Sequence, residues 1–397
     1  MDTSKSYFET VILIFISISS IFILLKVMAF IINFKFKKSK KIVTKHKSNA
    51  LNLSMRSEKN SFRESEEFVQ YNSYKNNKKK EKNDKYEIIK YDNGDVYKGE
   101  LTDGKRSGFG VCIYANKDKY EGLWKEDNMH SIGKYTYADG TIYSGDFRFG
   151  EIEGVGMYTL LNNDIYKGEF KKGKINGKGT ISYSNGDRFV GNFKNGLKEG
   201  KGRYIWDNGD MYEGEYVEGK IEGKGKYVYS NGSRYIGEFK GNVYNGYGVL
   251  TSENGDIYEG EFKYGYKKGD GLLKYRNGDV YKGSFKDDLF EGKGAYTYRD
   301  GECYDGDYVN GLRDGIGTHT CEYFKYIGEF KDNNKYGIGT YYLIDGARLE
   351  VEIKDSIIIN GKYIKEGSEN DEIFEVKNID INDNEVDIIK NIYKFNK

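Results

Sequence analysis

One motif recurs at a fixed step along about two-thirds of this chain. An aromatic residue followed two places later by glycine stands at Tyr97, Tyr120, Tyr143, Tyr166, Phe189, Tyr212, Tyr235, Tyr258, Tyr281, Tyr304 and Tyr326. Nine successive steps are 23 residues and the tenth is 22. A period of that length means one small supersecondary unit stacked on copies of itself, none of which can bury its apolar face alone. Two further signatures keep the same frame. Gly-x-Gly begins eleven residues after the aromatic, as at Gly108/Gly110, Gly177/Gly179 and Gly223/Gly225, with Ser131 replacing its first glycine in the second unit. Asn-Gly or Asp-Gly comes shortly before the aromatic, as at Asn93-Gly94, Asp139-Gly140, Asn208-Gly209 and Asp300-Gly301.

The unit reads as a β-hairpin. In DMYEGEY, Tyr212, Gly214 and Tyr216 share one face of a strand at period two, and Met211, Glu213 and Glu215 the other. The return segment GKGKYVY places Gly223, Gly225, Tyr227 and Tyr229 on one face as well. Asn-Gly pairs tolerate the positive φ of both central positions of a type I′ turn, so the tight turns are expected there. Composition agrees: 51 Gly are too many for a helical bundle, and 38 Tyr with 22 Phe too many aromatics for wholesale disorder. With strands ~4.8 Å apart, eleven paired hairpins would make an elongated, twisted single-layer sheet about 105 Å long. One step past Tyr326, Leu349, Val351 and Ile353 follow Asp345-Gly346, a degenerate twelfth unit over residues 347–363.

These residues resemble the MORN (membrane occupation and recognition nexus) repeat family. DVYKGELTDGKRSGFGVCIY at Asp95–Tyr114 and DIYKGEFKKGKINGKGTISY at Asp164–Tyr183 are similar to its 23-residue pattern. The likeness covers residues 91–346; it departs at Phe189, at Ser131, at Asn163 where a turn glycine is expected, and at the short step before Tyr326. It implies an all-β fold of tandem hairpins and a scaffold or tether of the kind found in membrane-skeleton, cell-division, axonemal and membrane-junction proteins. It also implies a partner-binding groove for a peptide or helix. Here that groove would be lined by Tyr97, Tyr120, Tyr143, Tyr166, Phe189, Tyr212, Tyr235, Tyr258, Tyr281, Tyr304 and Tyr326. The competing reading is that these rings only pack on their neighbours. Open terminal sheet edges leave homo-oligomerisation as a further expectation.

The N-terminal quarter differs. After ten residues, Val11–Phe34 (VILIFISISSIFILLKVMAFIINF) has Lys26 as its single charge. As a helix it would span ~36 Å, enough for a ~30 Å hydrocarbon core. Lys35, Lys37, Lys38, Lys40, Lys41, Lys45 and Lys47 follow at once, whereas residues 1–10 carry little net charge. The positive-inside rule then places the repeats in the cytoplasm and the N-terminus outside or in a lumen. A cleaved signal peptide is the competing reading; the long apolar run and the missing basic leader favour an uncleaved, single-pass signal-anchor. Residues 35–85 hold 16 Lys/Arg against 6 Asp/Glu, so the stretch to residue 90 reads as a basic, disordered linker. Its lysine cluster suits an anionic cytoplasmic leaflet, at ~1 kcal/mol per cation. Residues 364–397, with 5 Lys against 9 Asp/Glu, form an acidic tail that either caps the last hairpin or is disordered.

Enzyme chemistry finds little support. Some MORN proteins carry a phosphatidylinositol phosphate kinase or a SET-domain methyltransferase, but only 44 residues follow Ile353 and neither Walker A nor kinase catalytic-loop motifs occur. Cys112, Cys303 and Cys321, and His46, His130 and His319, are scattered, so neither metal nor cofactor is expected. A net charge of +1 gives no reason to expect a nucleic-acid partner. The reading is a non-enzymatic, membrane-anchored scaffold positioning partner proteins at a cytoplasmic membrane face. Its alternatives are a tether apposing two membranes and a regulatory module for an enzyme supplied in trans.

Overall fold

The structure, a computed structural model, describes residues 86–365, 372–381 and 385–395. The Val11–Phe34 stretch and the Lys35–Lys47 cluster lie outside these. The described residues form one open sheet of 27 strands, numbered from β1 (Glu87–Lys90) to β27 (Ile379–Asp380). Each strand up to β25 (Ile357–Lys365) pairs antiparallel with the next in the chain, without crossovers. The expectation of an all-β sheet of tandem hairpins holds. Among the described residues no helix is long and apolar enough to cross a membrane.

The sixth unit shows why the sequence folds so. Strand β12 (Met211–Val217) carries Tyr-x-Gly and β13 (Lys220–Val228) carries Gly-x-Gly. Glu218 (φ 49°) and Gly219 (φ 83°) join them, both left-handed, which makes this the type I′ turn. The expectation that Asn-Gly forms these turns is corrected. Asn-Gly lies at the other end, between units, in a three-residue loop where only the glycine is left-handed. At Gly232 (φ 96°), the N–H bonds the Tyr229 carbonyl at 3.0 Å while the Tyr229 N–H bonds Ser233 at 2.9 Å. That is a type I turn closed by a glycine bulge, which needs one positive φ rather than two. Asn163 stands in that position at φ 67°, a conformation asparagine tolerates.

A second correction concerns the first glycine of Gly-x-Gly. The β12–β13 register slips between Gly214 and Glu215, so Gly223 bulges at φ 67° and does not share a face with Gly225 and Tyr227. The slip brings Ile221 opposite Tyr216, where it is buried. The Glu215 carboxylate packs over Gly223. At the same bulge in other units the acid accepts the next backbone N–H, as Asp146 does from Val155 at 2.7 Å. Tyr-x-Gly-Glu and Gly-x-Gly are thus halves of one bulge motif.

At the C-terminal end, Leu349, Val351 and Ile353 of β24 (Arg348–Lys354) are buried, in register with the earlier units. The outer edge of β25 pairs with β26 (Glu372–Val376) and β27. Helix α1 (Glu385–Phe395) follows, with Ile389 and Ile392 buried in the same apolar cluster as Tyr341, Leu349 and Ile358.

Candidate functional site

Each motif aromatic sits in a seat made by two glycines. Gly214 and Gly225 face each other across β12–β13, and a Cβ built on Gly214 would lie 2.7 Å from the Gly225 Cα. No side chain fits there, so the Tyr212 ring lies along its own strand over both backbones. Its hydroxyl donates to the Glu215 carbonyl at 3.1 Å. Burial pushes that phenol up to about 12, so it remains a donor. The same bond, from the ring three residues back, recurs at Tyr97, Tyr120, Tyr143 and Tyr235. Phe189 fills its seat without a hydroxyl.

A second aromatic, four residues on, locks the ring edge-to-face in every unit after the first, where Leu101 stands instead and Tyr97 meets only Trp124 of the next unit, at 5.5 Å. Tyr212 meets Tyr216 of its own unit at 5.4 Å and Phe239 of the next at 5.1 Å. Trp124, Phe147, Phe170 and Phe193 do the same earlier in the chain. An unbroken file of rings therefore couples one unit to the next, each contact worth roughly 0.5–1.5 kcal/mol beyond burial. The eleven predicted groove residues are accordingly no more than 2% exposed. Their atoms are core, not contact surface: the glycine seats draw them below the face they were expected to line.

What overlies them is a layer the sequence reading missed. Nine residues after each aromatic runs a column that includes Arg106, Ile175, Lys198, Tyr244, Phe290 and Lys335, set over the buried rings. Tyr244 stacks on Tyr235 at 3.8 Å and Phe290 on Tyr281 at 3.6 Å, while the Lys198 ammonium stands 5.0 Å from the Phe189 centroid. Beside it runs a ladder of half-buried rings, Tyr183–Tyr204–Trp206–Tyr227–Tyr229, at successive spacings of 5.8, 4.6, 5.2 and 4.5 Å. The signal was present in the sequence at fixed offsets of 9, 15 and 17 from the motif aromatic, but in mixed residue types.

The ladder is tied down by the aspartate of the inter-unit loops. Tyr227 donates to Asp210 at 3.0 Å, and the other Asp210 oxygen accepts the Ser230 N–H at 2.8 Å, joining consecutive loops. Asp118 and Asp187 act alike through Tyr135 and Tyr204. The Ser184 N–H and then Asn162 hold Asp164 below the ordinary carboxylate range. Among the described residues, no group of three or more His, Cys, Asp or Glu is arranged to hold a metal ion.

The MORN repeat family model matches this chain eleven times, over residues 97–119, 120–142, 143–165, 166–188, 189–211, 212–234, 235–257, 258–280, 281–303, 304–322 and 326–348. No curated protein matches significantly. Among solved structures, the chain is similar to the SAS-4 (dCPAP) TCP domain of Drosophila melanogaster in complex with a proline-rich motif of Ana2 (dSTIL). The identity is 13% and the TM-score 0.26, covering 45% of this chain and 90% of that one. A streptogramin B lyase aligns at 10% identity and a TM-score of 0.11, over 70% of this chain and 89% of the lyase. Superpositions that loose carry no argument about function. The eleven matches and the repeated glycine seat leave one conclusion: the chain belongs to the MORN repeat family.

Proposed function

We propose that this protein is a non-enzymatic scaffold, anchored by Val11–Phe34 with its repeats in the cytoplasm, that positions partner proteins at the membrane. The observation that carries the reading is the layering of the tyrosine face. A buried aromatic file gives each unit a rigid floor. Above it the half-buried rings and cations of the offset columns present a surface repeated along the sheet. Aromatic rings supply contact area at a low cost in side-chain entropy, and aromatics and arginine are enriched where proteins bind proteins. The apolar Val11–Phe34 stretch and the lysines after it support the membrane placement.

Site-specific photo-crosslinking in intact membranes tests the binding face. A photoreactive residue replacing Tyr183, Trp206 or Tyr229 in the full chain is expected to give discrete adducts with another protein. The same residue at Tyr247, exposed on the opposite face, is expected to give none. Adducts from Tyr247 alone, or from none of these positions, would refute the assignment.

A further inference from the structure

Two lysines at the same place in their units have the same surroundings and different partners. Lys335, nine residues after Tyr326, holds its ammonium 4.8, 4.9 and 5.0 Å from the Phe324, Tyr326 and Tyr341 ring centroids. Lys198, nine after Phe189, stands 5.5, 5.0 and 4.4 Å from Tyr183, Phe189 and Tyr204. Each is thus a cation boxed by three rings, one of them its own unit's motif aromatic. At Lys335 the box is closed by α1: Glu385, in the first helical turn, pairs with the ammonium and accepts from the Tyr341 hydroxyl at 2.5 Å. Ile389 and Ile392 of the same helix are buried in the core cluster. The molecule itself therefore displays how this face takes a helix, by one carboxylate on the boxed cation and a pair of isoleucines sunk into the apolar cluster.

No helix among the described residues lies at Lys198. Among the described residues no carboxylate lies within ion-pair distance of it. Asp187, the acid acting on it, is engaged by the Tyr204 hydroxyl at 2.7 Å and the Asp207 N–H at 2.8 Å. Burial already pulls its ammonium below the ordinary lysine value. Ile175 and Ile221 occupy the same column one unit before and one unit after. A unit of two strands advances ~9.6 Å, and an eleven-residue helix is ~16 Å long, so a helix with its carboxylate at Lys198 would reach one flanking isoleucine. Arg106, in the same column, has its acid, Asp127, at 3.2 Å.

Resting on the reading of this face as the binding surface, we propose that the fourth to sixth units dock an amphipathic helix of a partner protein through a first-turn carboxylate on Lys198. The occupant is a partner's helix rather than α1 of a second copy. Withdrawing α1 from its own chain would strand Lys335 as a buried, unpaired cation, a costly arrangement.

The α1 sequence itself, EVDIIKNIYKF, serves as the probe, as an acetylated, fluorescent peptide carrying a benzophenone. Titrated against the detergent-solubilised full chain, it is expected to bind and to cross-link within residues 166–229. Lys198→Glu should weaken it tenfold or more, and the peptide with lysine at the Glu385 position should recover binding to that variant. Unchanged affinity for Lys198→Glu, with cross-links elsewhere on the tyrosine face, would overturn this inference and leave the scaffold reading standing. Cross-links confined to residues 324–364 would mean the peptide only competes for the seat of α1, and would also overturn it. Absence of binding would do the same.

Discussion

A methyl group at Gly225 is the sharpest probe of the glycine seat. In Gly225→Ala the new Cβ would lie 2.5 Å from both Cε2 and Oη of Tyr212. The ring cannot sink further, because Tyr216 and Phe239 hold it edge-to-face at 5.4 and 5.1 Å. If the strands give way instead, overpacking costs about 1–3 kcal/mol. If the ring rises out, it forfeits one hydrogen bond of about 1 kcal/mol and a large aromatic burial of about 1.5–3 kcal/mol. Loosened edge-to-face contacts bring that second route to about 3–5 kcal/mol. The cheaper response sets the loss, which is expected at about 1–3 kcal/mol. Tyr212→Ala alone should cost more, about 3–5 kcal/mol. The two should not add. With the ring gone the alanine methyl enters space the ring vacated, so its further cost falls to about 0.5 kcal/mol or less and the coupling is about 1–2 kcal/mol. Hydrogen exchange of peptides spanning residues 205–229, in the full chain, reads the local stability directly. Losses that add to within about 0.5 kcal/mol would show that glycine and ring act independently, and the seat argument would be wrong.

Three other outcomes follow from the same geometry. Phe189→Tyr should stabilise the fifth unit by about 0.5–1 kcal/mol, measured by the same exchange, because its seat offers the Asn192 carbonyl that tyrosine uses elsewhere; a loss would show that the seat is too shallow for a hydroxyl. Ser131→Gly should raise the local stability of the second unit by about 1 kcal/mol, since Ser131 is held at φ 56° where its neighbours in the series carry glycine; no gain would mean its side chain compensates for the strain. Acid should loosen the loops before the strands. Asp164, and Asp210 through Ser230 and Asn208 against the opposing effect of burial, have folded-state values below the usual carboxylate range. Each therefore contributes fully above the unfolded value of about 3.9 and loses that contribution as the pH falls from there through its folded-state value. Exchange of the Ser184 and Ser230 amides should accelerate through that window, and loop amides indifferent to it would contradict the aspartate tie.

The period, the hairpin and the number of units were legible because Tyr-x-Gly and Gly-x-Gly recur at offsets no other architecture explains. The turns were misplaced for a physical reason. Type I′ pairs such as Phe149-Gly150, Tyr264-Gly265 and Asp287-Asp288 share little composition, whereas Asn-Gly, the stronger local signal, serves a loop that needs only one left-handed residue. The sequence left the eleven aromatics open between lining a groove and packing on their neighbours, because strand alternation tells which face a ring is on, not how far it folds down. Only the pairing of Gly214 with Gly225 shows that the ring drops onto both backbones. The role of Asn-x-Asp was missed because its hydrogen bonds reach about twenty residues ahead, from Asp210 to Ser230. The Lys335–Glu385 contact spans fifty residues, and nothing local announces it.

A membrane-anchored scaffold of this kind needs its repeats in the cytoplasm. Protease treatment of intact membranes bearing the full chain with a C-terminal tag, with carbonate extraction alongside, decides whether they lie there. Resistance to extraction together with digestion of the tag in the absence of detergent is the result expected of an uncleaved anchor with cytoplasmic repeats. A protected tag, or a soluble chain shortened at its N-terminus, would place the tyrosine face in a lumen or outside the cell and contradict the scaffold proposed here.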